Sequence, residues 1–208
     1  MQATMHERWR SFALRLILAT GVLLGLARFL ELPLVQPLLP VLREIVNAVD
    51  DRFDVATPTL VASKAGRLIE LRVRIMQPLE VGGQVIPAQP DNWLPMRNLA
   101  ASVLQPIVPL LAIILAWPVV AGWREASRRV GWTVVAVLIL LVSNVPLGFN
   151  AMMVDARTLF PGATVGPLVY WNDFLQTGGN LVLPVGLAML VLALSERRNS
   201  GTNGAAGR

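Results

Sequence analysis

With 208 residues, 54% of them hydrophobic and only 15% charged, the chain departs from soluble domains, where about a quarter of residues carry charge, and points to lipid as its solvent. The net charge of +5 comes almost wholly from arginine, Lys64 being the one lysine. These basic residues flank apolar runs instead of interleaving with aromatics, which excludes nucleic acid as a partner class. The lack of cysteine and a single histidine, His6 in the polar N-terminal segment, exclude disulfides, thiolate chemistry, multi-histidine metal sites and a histidine base in this chain.

Residues 1–11 are expected to form a cytoplasmic N-terminus, and the apolar run 12–30 that follows Arg8 and Arg10 a first transmembrane helix. The run is long enough to span and no A-x-A-like cleavage site follows, so it reads as an uncleaved anchor. Gly21 and Gly25 form a G-x-x-x-G pattern, which either admits a neighbouring helix closely or faces lipid; both readings are open. Arg28 and Glu31, three residues apart, are placed to pair near the far end. Pro33, Pro37 and Pro40 should break the helix. Leu38, Leu39, Val41, Leu42, Ile45, Val46 and Val49 then recur at helical spacing, with Arg43, Glu44, Asn47 and Asp50 between them. That pattern is an amphipathic helix lying at the membrane surface or capping a small domain.

From Thr57 to about Ile86 the period becomes two. Ile69 to Ile75 alternate apolar and charged residues without a fault, the mark of a half-buried strand. Thr59–Ser63 reads as a partner strand with a turn at Ala65-Gly66, and Gly82-Gly83 as a second turn before a short strand at Gln84–Ile86. Pro87, Pro90 and Pro95 are expected to end the region. Segment 31–98 is thus an extracytoplasmic amphipathic helix plus a β-hairpin or small sheet, too small to stand without support from that helix and the membrane surface.

A second span is expected over 99–120, charge-free but containing Pro106, Pro109 and Pro118, with Trp117 and Trp123 as interface anchors. A basic cytoplasmic loop follows at 121–129, then a third span at 130–149 carrying Asn144 and Pro146. Residues 150–173 make an outer loop, 174–194 a fourth span opening on Gln176-Thr177-Gly178-Gly179-Asn180, and 195–208 a disordered cytoplasmic tail. The fold class is therefore an α-helical integral membrane protein of four transmembrane helices with a small extracytoplasmic α+β insertion between helices 1 and 2. Arg8, Arg10 and Arg15, then Arg124, Arg128 and Arg129, then Arg197 and Arg198 fall on one side of such a chain. The positive-inside rule puts both termini in the cytoplasm and the β-rich segment outside, in the periplasm of a diderm bacterium.

No catalytic, cofactor-binding or metal-ligating set is recognisable, and spans two to four hold no ionisable residue of the kind intramembrane chemistry requires. Gly21, Gly25, Asn144 and Asn180 are the candidates for helix packing or polar contact. Asn144, beside Pro146, is suited to bonding the carbonyl that this proline releases or to bonding a neighbouring helix. Asp155, Arg157, Trp171, Asn172 and Asp173 are the outer-loop candidates for acid–base work or cation binding, although Tyr170 and Trp171 also serve as interface anchors.

Arg10-Ser11-Phe12-Ala13-Leu14-Arg15-Leu16, the strand before Asn98, the prolines of span two and the stretch Leu175 to Pro184 together resemble the small membrane proteins encoded beside exosortases, in particular exosortase H-associated membrane proteins. The resemblance implies a basic N-terminus and span, a β-rich outer segment and three further spans, and no functional residues. Since exosortases act through a cysteine, it implies an accessory subunit and not the sorting enzyme. The leading expectation is a non-catalytic accessory or scaffold subunit of an inner-membrane complex, with the lipid bilayer and a membrane-protein partner or second copy as its contacts. A membrane enzyme or transporter component using Asp155, Arg157, Asn172 and Asp173, and a subunit of a secretion or conjugation machine, are the alternatives.

Overall fold

A computed structural model describes residues 5–49, 52–64, 66–81, 84–118, 122–158 and 167–196. The protein is mostly helical, with three helices long and apolar enough to cross a membrane and a small sheet. Helices α1 (Met5–Val35) and α2 (Leu39–Val49) are joined by a 3₁₀ turn at Gln36–Leu38. Strands β1 (Phe53–Val55), β2 (Thr59–Ser63), β3 (Gly66–Ile75), β4 (Leu79–Val81), β5 (Gln84–Ile86) and β6 (Gln89–Leu99) follow. Then come α3 (Ala101–Leu104), α4 (Ile107–Ala116), α5 (Trp123–Thr158), α6 (Pro167–Phe174) and α7 (Asn180–Glu196), the last two joined by a π turn at Leu175–Gly179. The chain forms two compact units.

One unit comprises residues within 30–104 and 141–180. Its sheet is built on β3, the strand whose alternation is plainest in the sequence. β3 pairs antiparallel with β1 and β2 along one edge and with β6 along the other. Ser63 lies opposite Gly66, which has φ +123°, a backbone region open to a residue without Cβ. Ala65 and the expected Gly82-Gly83 turn lie outside the described residues. β4 and β5 form a separate hairpin.

β6 corrects the expectation that Pro87, Pro90 and Pro95 end the β region. It is an edge strand, bonded to β3 alone among the described residues. Pro90 falls where the register jumps from Val73–Leu94 to Ile75–Gln89, and Pro95 sits opposite Arg72 on the open edge. An edge and a bulge are the two places where a missing N–H costs a sheet little.

Ile69, Leu71, Val73 and Ile75 turn one face of β3 inward, against Leu39, Leu42 and Val46 of α2 and Phe53 and Val55 of β1. Val145 and Phe149 of α5 close the same core. The amphipathic helix supports the sheet as expected, and α5 is a second support that the sequence does not reveal. Arg43 ties α2 to β1 by donating from Nε to the Val55 carbonyl at 2.9 Å.

The other unit comprises residues within 1–29, 105–140 and 181–208. Leu110 and Ile114 of α4, Ala136 and Leu140 of α5, and Ala188 and Val191 of α7 form its core. Each pair recurs three or four residues apart, one face of a helix, and the alanines let the backbones approach. Val108, Leu110, Ala112, Ile114 and Ala116 are all buried, so α4 is enclosed around most of its circumference. By contrast, no residue of the apolar window of α1, Trp9–Phe29, is buried, against 33% and 28% of the windows on α5 and α6–α7. Among its contacts with the unit is the edge-to-face pair Phe12–Trp117, ring centroids 5.6 Å apart.

The stretch expected as one span over 99–120 is divided. Leu99 closes β6, and helix begins at Ala101, turns at Gln105-Pro106 and resumes to Ala116. Pro106 cannot supply the N–H that would continue α3, and this is the physical reason for the break. At about 1.5 Å per residue, Ala101–Ala116 reaches about 24 Å, less than the roughly 30 Å hydrocarbon core. The stretch expected as an outer loop carries helix at both ends, since α5 runs on to Thr158 and α6 starts at Pro167. α1 likewise continues through Pro33 to Val35. The tail from residue 197 lies outside the described residues.

Candidate functional site

The candidate site starts from a carbonyl. In a regular helix the Ser102 oxygen would accept from the amide of residue 106, but that residue is proline. Asn144 of α5 supplies the missing donor, its Nδ2 lying 3.2 Å from the Ser102 carbonyl oxygen. The same nitrogen reaches Oδ1 of Asn180, at the head of α7, at 3.1 Å. One carboxamide thus joins three helices. The Ser102 hydroxyl extends the network, donating to the Leu99 carbonyl at 2.6 Å and approaching Asn98 Oδ1 at 3.4 Å.

One residue earlier on α5, the Ser143 carbonyl accepts from the indole Nε1 of Trp171 at 2.9 Å. Trp171 lies against Phe174 with centroids 5.4 Å apart. Asn172 lies over Gly148, its Oδ1 3.7 Å from where a Cβ would stand. Asp173 is exposed, and its carbonyl accepts from the Thr177 hydroxyl at 2.8 Å. The π turn that brings Asn180 to Asn144 depends on two glycines. Gly178 has φ +139°, and a Cβ on Gly179 would stand 2.7 Å from the Phe174 carbonyl oxygen.

The expected residues therefore divide. Asn144 and Asn180 meet; Trp171 and Asn172 pack against the same stretch of α5. Asp155 and Arg157 fall on the last turns of that helix, and their side chains lie outside the described residues. Around Gly21 and Gly25 no atom of the chain comes within 4 Å of a would-be Cβ. Arg28 is exposed, and among the described residues no ion pair joins it to Glu31. At the surface such a pair gains little over two solvated, freely rotating side chains.

Two charged groups escape sequence reasoning. Arg129, read only as an orientation signal, is buried. It donates to the Trp117 and Pro118 carbonyls at 2.9 and 3.3 Å and pairs with Glu125, also buried. It thereby meets carbonyls just beyond the end of α4, where the helix dipole favours a cation, while Glu125 balances its charge. The i, i+4 spacing of Glu125 and Arg129 on one helix is the signal that could have found it.

The second group is on the outward face of the sheet. Glu70 stands opposite Arg97 and takes its Nε and Nη2 on Oε2, both at 2.9 Å, while Oε1 takes Nε of Arg72 at 3.2 Å. The donors of Arg97, then those of Arg72, hold the Glu70 carboxyl below its ordinary value, against a smaller opposing effect of burial. Farther along β3, Arg74 pairs with Asp54 at 2.6 Å, donates to the Pro90 carbonyl at 3.2 Å and lies over the Trp93 ring, 4.7 Å from its centroid.

Among the described residues, no three of His, Asp and Glu gather as metal ligands. What the arrangement does chemically is to satisfy backbone groups inside an apolar protein and present guanidinium groups at its surface. Compared with models of protein families, with curated proteins and with solved structures, the chain finds no match.

Proposed function

We propose that this chain is a non-catalytic accessory or scaffold subunit of a complex in a bacterial inner membrane, of the kind that assists an exosortase-type sorting system. The observation that carries the reading is the unburied α1 window, Trp9–Phe29, beside two other spans that are each partly enclosed by the chain. One stripe of this helix, through Phe12, Leu16, Ala19, Leu23 and Ala27, is half-buried, and the face bearing Gly21 and Gly25 is open and left for a partner.

In this reading Ala101–Ala116 is a fourth membrane helix. It is short and kinked, but enclosed in the core shared with α5 and α7. Four membrane helices place both termini and the 121–129 connection in the cytoplasm and insert the sheet between helices 1 and 2 on the outer side, in agreement with the arginine distribution. The polar network around Asn144 is then structural, holding three helices at one level. Purification in mild detergent after cross-linking from positions on α1 tests the proposal. The expected result is a protein cross-link that Gly21→Leu and Gly25→Leu abolish. A monodisperse monomer with lipid adducts alone would overturn it.

A further inference from the structure

We infer that the outward face of the sheet, at the end where β6 passes into α3, binds the phosphate of an anionic lipid headgroup through Arg72 and Arg97. On that face the Glu70 carboxylate is only 7% exposed, whereas the Arg72 and Arg97 side chains above it are 64% and 57% exposed. The acid holds two guanidinium groups in place from below and leaves their outer N–H groups unused. Two cations share one anion, so one positive charge is unbalanced. At the other end of β3 the balance differs, because Arg74 is matched by Asp54 and covered by Trp93.

The excess charge therefore sits at the end of the sheet that adjoins Ala101, the first residue of an apolar helical stretch. Arg97 precedes it by about 13 Å of extended chain at most. If Ala101–Ala116 is embedded as proposed above, on which this inference rests, the guanidinium groups lie at headgroup level. Their planar donor pairs match a phosphate diester, and lipid is the phosphate source always at hand there.

The experiment reconstitutes the full chain in nanodiscs of phosphatidylcholine with increasing dioleoylphosphatidylglycerol, and reads retained lipid after detergent extraction by native mass spectrometry. Both leaflets carry the same lipid, so a wrong orientation of the sheet does not affect the outcome. Wild type is expected to enrich phosphatidylglycerol by about fivefold for each arginine engaged. R72Q/R97Q should lose most of that enrichment and R74Q should keep it. If the glutamine pair fails to fold, R72K/R97K takes its place, and enrichment equal to wild type would overturn the planar recognition. No enrichment by wild type, or retention of it in R72Q/R97Q, would overturn the inference. So would displacement of the lipid by inorganic phosphate or by polyglutamate, which would assign the face to a free anion or to an acidic polypeptide. Hydrogen exchange over 101–116 checks the embedding separately, since solvent-exposed amides there would remove the supporting reading whatever the lipid result.

Discussion

Asn144 shows how a single side chain compensates a backbone defect. Proline in an apolar helix leaves a carbonyl without a donor, and hydrocarbon offers no water to replace it. The Asn144 carboxamide meets that need at Ser102 and takes Asn180 as its second partner. Asn144→Ala should therefore lower stability in detergent by about 1 kcal/mol, the usual scale of interhelical hydrogen bonds in membranes. The cause can be isolated with Pro106→Ala, which returns an N–H to α3. In that background Asn144→Ala should cost measurably less, and equal costs in the two backgrounds would dissociate Asn144 from the proline. Glu70 gives a pH-dependent counterpart. Its carboxyl is held below the ordinary range by Arg97 and then Arg72, so its stabilisation is complete above that range and is lost as pH falls through the lowered value. The difference between the melting curves of wild type and Glu70→Gln should thus be full near pH 7 and shrink as pH falls below the ordinary carboxylate range; a constant difference would contradict the ion-pair account.

At the scale of elements, how much is legible depends on whether local pattern or distant contact decides the structure. β3 is readable because Ile69 to Ile75 alternate strictly, and α2 because its apolar positions recur at helical spacing against the core. β6 is not, because a proline's cost depends on which edge of a sheet its missing N–H faces, and that is fixed only once β3 is in place. The buried Glu125–Arg129 pair was hidden for a similar reason, since an arginine in a short basic connection satisfies the orientation rule whether or not it folds inward. The approach of Asn144 to a neighbouring helix is foreseeable from its type, but the proline whose carbonyl it serves is Pro106 of another helix and not the adjacent Pro146, a pairing only the packing of α3 on α5 reveals. The π turn before α7 was visible only as a run of small and polar residues, although its glycines are needed there. Gly179→Ala would push a methyl group against the Phe174 carbonyl, and a loss of about 2 kcal/mol is expected from such overpacking. Gly21→Ala on α1, where the surroundings are open, should leave the melting temperature of the isolated chain unchanged. A comparable loss at Gly21 would contradict the packing account, since helix propensity alone favours alanine over glycine.

Across the whole molecule, the proposed four-crossing topology rests on two independent considerations, the apolar helices and the distribution of charge. Hydrocarbon accepts helices whose backbone groups are satisfied internally, and cytoplasmic loops retain arginine because short basic segments translocate poorly. The first consideration counts crossings and the second assigns sides. The count hinges on Ala101–Ala116, too short for a full crossing yet enclosed in the core with α5 and α7. With that helix as a crossing, β2 and the start of α5 lie on opposite sides of the bilayer; without it, they share one. The absence of native cysteine makes the two cases easy to separate. Ser63 and Ser127 are both exposed, so Ser63→Cys and Ser127→Cys each introduce one reactive thiol. In intact spheroplasts a membrane-impermeant maleimide should label Ser63→Cys fully and Ser127→Cys only after permeabilisation. Equal labelling from outside would remove the fourth crossing, and with it the assignment of the sheet to the outer face.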